Sequence, residues 1–275
     1  MQPSSAEIAL YLAEDIGSGD ITASIVSAET QANAAVMTRE PMVLCGRAWF
    51  EEVFRQLNPQ VIVDWQSDEG ESIFANSLLC RLHGPARALL TGERTALNLL
   101  QTLSATATIA RRYADAVAGT GCKVLDTRKT LPGLRLAQKY AVKCGGCFNH
   151  RVGLFDAILI KENHIMAAGS IAKAVSVARS KANVPVEVEV EDLEEFAQAL
   201  AAQPDRIMLD NFSLDDMRKA VEQNQGMLEL EASGNITLEN IRTVAETGVD
   251  FISIGALTKH VTAIDLSMRI EMRTD

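Results

Sequence analysis

Three stretches in the second half of the chain carry residue types that do chemistry. Asp126-Thr127-Arg128-Lys129 sets an acid beside two cations. Asn149-His150-Arg151 lines up an amide, an imidazole and a guanidinium, and Lys161-Glu162-Asn163-His164 adds a further lysine and histidine. Arginine binds a carboxylate through two parallel charge-assisted hydrogen bonds, whereas lysine offers a compact point charge suited to phosphate. Further on, Glu189 and Asp210 present hard oxygen donors of the kind Mg²⁺ takes. Ser233-Gly234-Asn235 and Gly255-Ala256-Leu257 carry glycine where backbone N–H groups could approach an anion. Between Gly121 and Ile165, eight basic residues stand against three acids, a local net of +5 in a chain of formal net charge −10. A basic cluster confined to one part of an acidic protein predicts a small anionic ligand. The overall charge argues against general nucleic-acid binding, which needs a basic surface.

These residues need elements to hold them, and the text around them supplies a rhythm. Short apolar runs at Lys123–Leu125, 157–161, Val186–Val190, 206–209, 228–231 and 251–254 alternate with segments of helical spacing, such as Leu193, Phe196, Ala197 and Leu200. Ser213 before Leu214 and Thr237 before Leu238 read as helix starts. Strand–helix alternation with unbroken apolar strands predicts a parallel sheet covered on both faces. Six such units fit an incomplete (β/α) barrel. In that architecture the C-terminal strand ends converge on one face, where active sites are built, and every chemical stretch named above except Asn149-His150-Arg151 falls at such an end.

Residues 1–115 read differently. Strand-like stretches at 34–39, 42–46, 61–65 and 78–83, a helix over 49–57 and a long helical region from Leu89 to Val117 predict an N-terminal α+β sandwich domain. The catalytic barrel-like domain is then 116–261. The alternating tail Ile264–Ile270 predicts that residues 262–275 return to the first domain as a strand. The chain has 275 residues, 47% of them hydrophobic, with no apolar run near the roughly 20 residues a membrane span requires. Five scattered cysteines do not read as a disulfide framework, and the acidic opening stretch does not read as a signal peptide; both predict a cytoplasmic protein.

Taken in order, Glu14–Asp20, Thr91–Asn98, the three stretches above, Gly255–His260 and Asp265–Arg269 resemble the quinolinate phosphoribosyltransferase family (nicotinate-nucleotide pyrophosphorylase, carboxylating) over nearly the whole chain. The resemblance implies transfer of phosphoribosyl from phosphoribosyl pyrophosphate to quinolinate with loss of CO₂, in NAD biosynthesis. It implies that Arg128 and Arg151 hold quinolinate, that His150 lines the same pocket and that Thr127 belongs to the substrate-binding set. Lys129 and Lys161 would then face the phosphates, Glu189 and Asp210 would lie near Mg²⁺, and Ser233, Gly234, Asn235, Gly255, Ala256 and Leu257 would hold the 5-phosphate. It also implies a homodimer in which Arg94 reaches the partner's site. A relative acting on another aromatic carboxylate is the alternative, and the intact Asn-His-Arg and Lys-Glu-Asn-His segments favour quinolinate.

Other residues read more plainly. Trp49 and Trp65 fit core positions, and His83 a structural or surface one. His164 could do no more than satisfy backbone groups, and His260 follows a phosphate-loop motif. Lys139 has no clear assignment and stays outside the site. The Cys144-x-x-Cys147 spacing lacks the second cysteine pair of a zinc ribbon and any thioredoxin-like context. Cys147 replaces the family's usual glycine, so a positive φ there would cost roughly 1 kcal/mol or more and shift the loop carrying His150 and Arg151.

Overall fold

The structure, a computed structural model, describes residues 2–272. The chain divides into two compact units. One holds the residues up to Ile109, Lys143–Gly145 and the chain from His260 on; the other holds Ala110–Val142 and Gly146–Lys259.

The first unit opens with α1 (Ser5–Ile16) and then β1 (Gln31–Thr38), β2 (Met42–Val43), α2 (Arg47–Leu57), β3 (Ile62–Trp65), β4 (Ser72–Ile73) and β5 (Leu78–Pro85). The long helix α3 runs over Ala86–Ala116. The final strand, β12 (Leu266–Met272), pairs antiparallel with β1, giving a four-stranded sheet in the order β12-β1-β5-β3. Alternation along β1 buries Ala32, Ala34, Val36 and Thr38 and leaves their neighbours wetter, as expected for a sheet with one covered face. Helix α2 buries Trp49, Phe50, Val53 and Phe54, and the Phe50 ring meets Phe54 and Trp65 edge-on, at 5.1 and 5.4 Å. Helices α2 and α3 approach closely because Gly92 has no side chain; a Cβ there would lie 2.7 Å from the Phe54 ring. The strand expected over 42–46 stops at Val43, since the chain turns at Gly46 (φ 110°) into α2.

The second unit is the incomplete (β/α) barrel. Its strands are β6 (Lys123–Leu125), β7 (Ile158–Ile160), β8 (Val186–Val190), β9 (Arg206–Asp210), β10 (Glu229–Ser233) and β11 (Phe251–Ser253). Every pairing among them is parallel, and the order is β6-β11-β10-β9-β8-β7. Sequence neighbours thus sit side by side except at one place. β6 pairs with β11 rather than β7, so the sheet curls round on itself and stays open between β6 and β7. Helices α4 (Arg135–Cys144), α5 (Glu162–Ala168), α6 (Ile171–Lys181), α7 (Leu193–Ala202), α8 (Leu214–Asn224), α9 (Ile241–Ala245) and α10 (Ala256–Lys259) fill the connections. The side chains of Ser170, Asp192 and Ser213 accept N–H groups of the first turns of α6, α7 and α8. The expected start at Thr237 is corrected: residues 237–240 form a turn, and α9 begins at Ile241 behind Asn240. No helix among the described residues is long and apolar enough to cross a membrane.

Candidate functional site

At the C-terminal ends of the barrel strands, Lys161 closes β7, Glu189 lies near the end of β8, Asp210 ends β9 and Ser233 ends β10. Lys161 forms an ion pair with the Glu189 carboxylate while remaining half exposed. Glu162, Glu189, Glu191 and Asp210 crowd together here, and Glu162 first, with Glu195, Asp210 and Glu189, holds the exposed Glu191 carboxyl above its ordinary range. Repulsion of this kind marks a place that a cation would relieve.

After β10 the backbone turns through Gly234 (φ 91°) and Asn235 (φ 53°), and after β9 through Asn211 (φ 56°). A Cβ on Gly234 would fall 2.2 Å from Asn211 Oδ1, so only glycine fits. The Asn235 amide donates to Asn211 Oδ1 at 3.0 Å, and Asn211 N–H donates to Ser233 O at 2.9 Å, tying the two tips together. Beyond β11, the Lys129 side chain lies along Gly255, where a Cβ would meet Lys129 Cδ at 3.1 Å.

The loop that carries Arg128 and Lys129 is braced from below. Thr258 Oγ1 donates to Lys129 O at 2.7 Å, and Gln138 Nε2 donates to Thr258 O at 2.9 Å. Arg135 spans Thr130, Arg128 O and Val152 O. Asp126, fully buried, is the hub beneath. Lys139 Nζ meets Asp126 Oδ1 at 2.5 Å and His150 O at 3.0 Å. Asn149 Nδ2 donates to Asp126 Oδ2 at 2.6 Å, and His150 N–H to Asp126 Oδ1 at 2.9 Å. Burial lifts the Asp126 carboxyl above the ordinary range against the pull of Lys139.

That network sets His150 and Arg151. His150 Nε2 lies 2.9 Å from Glu187 Oε2 and 3.6 Å from Glu231 Oε2, while Arg206 Nη1 donates to Glu231 Oε2 at 3.0 Å. Arg151 N–H donates to His150 Nδ1 at 2.7 Å, which puts the ring proton on Nε2. Burial opposes a second proton on His150, but Glu187 and then Glu231 outweigh it and raise its pKa. Burial, aided by Glu187, lifts Glu231 to about 7. Glu187 Oε1 and Glu231 Oε1 are buried without a hydrogen-bond partner in the structure. Arg151 donates to Ala157 O at 3.2 Å; burial and then the charge of Arg128 lower its pKa, so the two guanidiniums are near enough to repel.

The sequence matches the models for the quinolinate phosphoribosyl transferase N-terminal domain over residues 20–104 and C-terminal domain over residues 106–269. A probable nicotinate-nucleotide pyrophosphorylase [carboxylating] from Synechocystis is 43% identical, covering 94% of this chain and 90% of that protein. One from Bacillus subtilis is 40% identical over 96% and 92%. The chain belongs to the quinolinate phosphoribosyltransferase family. The solved structure of the nicotinate-nucleotide pyrophosphorylase from Francisella tularensis superposes on this family member with a TM-score of 0.94 at 49% identity, covering 98% of each chain.

Within this quinolinate phosphoribosyltransferase fold, Thr127, Arg128, Lys129, Lys161, Glu189, Asp210, Ser233, Gly234, Asn235, Gly255 and Ala256 all stand at strand ends of the barrel unit. Leu257 is fully buried, so only its backbone could serve a ligand. Arg94 is exposed on α3 in the other unit. The helix expected directly behind Ser233-Gly234-Asn235 is absent from that place, because α9 starts later, and α10 is a single turn. His164 serves the backbone, accepting the Lys161 N–H at 3.0 Å. Cys147 brings no strain: the positive φ belongs to Gly146 (94°), and the Cys147 thiol turns inward onto Ala110 O at 3.1 Å. Sequence reasoning missed Lys139, Asn149, Glu187, Glu231 and Arg206 as supports of the site. The available signal was a glutamate flanked on both sides by apolar residues within each of two strands, Val186-Glu187-Val188 and Leu230-Glu231-Ala232.

Proposed function

We propose that this chain transfers the phosphoribosyl group of phosphoribosyl pyrophosphate to quinolinate, releasing pyrophosphate and CO₂ and forming nicotinate mononucleotide for NAD biosynthesis. The observation that carries this reading is the placing of Arg128, Lys129 and Lys161 at barrel strand ends, with the Arg128–Lys129 loop braced by Thr258 and Arg135 and with Arg151 anchored on Ala157 O. Quinolinate, with two adjacent carboxylates, can occupy the guanidiniums of Arg128 and Arg151. His150, held by Asp126 through its backbone and by Glu187 through its ring, accepts the Arg151 N–H and so fixes the position of that arginine.

Lys129 and Lys161 accept the phosphate-rich substrate by charge. The donor set of Glu189 and Asp210, beside a crowd of like charges, fits Mg²⁺ completed by substrate oxygens. When bound, that ion would neutralise charge on the pyrophosphate. The pyridine nitrogen forms its bond to ribose C1 as the C1–O bond to pyrophosphate breaks, and the lysines stabilise the charge that develops on the leaving group. The electron pair of the bond between ring carbon and carboxylate then stays on the ring carbon, stabilised by the adjacent positively charged nitrogen; CO₂ leaves and a proton adds to that carbon. The arginines orient the substrate for both steps. Arg94 completes the site of a second copy in a homodimer.

The purified chain with Mg²⁺ and phosphoribosyl pyrophosphate should convert quinolinate, and not nicotinate, to nicotinate mononucleotide on chromatography. Product from nicotinate alone, or from neither, would overturn the assignment. Mixing Arg94→Ala with Arg128→Ala should restore activity in hybrid dimers, and no recovery would remove Arg94 from the site.

A further inference from the structure

In three dimensions the Cys144-x-x-Cys147 spacing is not a dithiol. Cys147 turns away, and Cys144, at the end of α4, meets Cys45 and Glu69. The two sulfurs and a Glu69 carboxylate oxygen all lie within 4.8 Å of one another. Cys45 precedes α2, and Glu69 lies between β3 and β4, so three separate segments of the first unit converge here.

The donors are also held from behind. Gly46 N–H donates to Glu69 Oε1 at 2.8 Å and Arg47 N–H to Oε2 at 3.2 Å. Cys45 N–H donates to Ser104 Oγ at 3.1 Å, and Ser104 Oγ donates back to Cys45 O at 3.1 Å. Gly70 N–H bonds Leu44 O at 2.8 Å and Leu44 N–H bonds Glu71 O at 2.9 Å, pinning the Glu69 loop to the Cys45 segment. Outer hydrogen bonds of this kind orient metal ligands.

We propose that Cys45, Cys144 and Glu69 form a Zn²⁺ site, separate from the phosphoribosyl transfer chemistry. Two thiolates and a carboxylate are a tetrahedral zinc ligand set with one position left for water. With Zn–S near 2.3 Å and Zn–O near 2.1 Å, tetrahedral donors stand roughly 3.5–3.8 Å apart, so a small inward shift closes the cluster. Glu69 decides between a metal and a disulfide. A carboxylate beside the thiols disfavours the thiolate that oxidation requires, whereas a divalent cation balances three anionic donors at once. Cys45 is buried while Cys144 and Glu69 are half exposed, so the cluster is closed on one side and open to an incoming ion on the other. Binding releases two thiol protons to solvent and so strengthens as pH rises.

Cobalt(II) serves as the probe. Titrating the reduced full-length protein with Co²⁺ should produce a thiolate-to-cobalt charge-transfer band in the near ultraviolet and tetrahedral visible bands, saturating at one equivalent and displaced by Zn²⁺. Cys144→Ser, a change at a half-exposed helix end, should abolish the charge-transfer band, as should Cys45→Ala, while Cys147→Ser should keep it. Zn²⁺ should raise the melting temperature of the wild type but not of Cys144→Ser. Absence of the band in reduced wild type, or its survival in Cys144→Ser, would overturn the site. A Cys45–Cys144 disulfide formed under hydrogen peroxide, together with no metal uptake by the reduced protein, would replace it with a redox pair.

Discussion

Glu187 and Glu189 stand two residues apart on the inward face of β8, yet their surroundings differ. Glu187 is buried within reach of His150, whereas Glu189, one layer nearer the strand end, pairs with a half-exposed lysine. β10 repeats the pattern: Glu231 is fully buried against Arg206 and His150, and Ser233 reaches the tip. Register alone does not set this contrast. Glu187 lies opposite Arg206, whereas Glu189 and Glu231 both lie opposite Met208, so the difference comes from the partners and burial each carboxylate meets. The deeper layer is desolvated, so its charges are bound to one another and hold the His150–Arg151 segment in place. The outer layer keeps its water and is free to exchange it for a ligand. Depth along one strand face therefore separates buried, mutually paired charges from more exposed ones.

Substitutions in the two layers should part company in their readouts. The largest effect is expected from Lys139→Met, which strands the buried Asp126 carboxylate without its cation. Unfolding by denaturant should show a loss of about 3–5 kcal/mol. Arg128→Ala should leave the melting temperature nearly unchanged while kcat/KM for quinolinate falls roughly a hundredfold, the equivalent of about 3 kcal/mol of charged hydrogen bonding. A fall in stability with kcat/KM intact would move Arg128 into the supporting group.

Glu231→Gln tests the deep layer through pH. Its folded pKa of about 7 stands above the ordinary 4.5. Its stabilising contribution is therefore complete below about pH 4.5 and is lost as pH rises through 7. The raised His150 acts in the same direction. The wild-type melting temperature should drop between pH 6 and pH 8, and the drop should shrink in Glu231→Gln; an equal drop in both would place the proton elsewhere. The smallest change in stability is expected for Lys161→Met, within about 1 kcal/mol because the lysine is half exposed. Its turnover with phosphoribosyl pyrophosphate should nevertheless fall, and unchanged kinetics would make the pair a surface ornament.

Strand-helix alternation, the six parallel strands and the charged tips at Arg128, Lys161, Glu189 and Asp210 were all legible in the sequence, because periodicity and strand-end position are local properties. The tail's alternation likewise foretold a strand, and β12 pairs with β1. Cap positions were legible where a side chain closes its own helix, as at Ser213, and illegible at Thr237, where a turn of four residues intervened. What sequence could not reveal depends on which residues meet across the fold. Lys139 looked unassigned until Asp126 was found beneath it. Glu187 and Glu231 read as strand residues until barrel curvature brought both to one histidine. Cys144 suggested Cys147 by spacing, but a positive φ at Gly146 and a buried Cys147 left it beside Cys45 and Glu69. Propensity and pattern act over a few residues along the chain; burial, pairing and desolvation act across space, and only the tertiary structure brings those partners together.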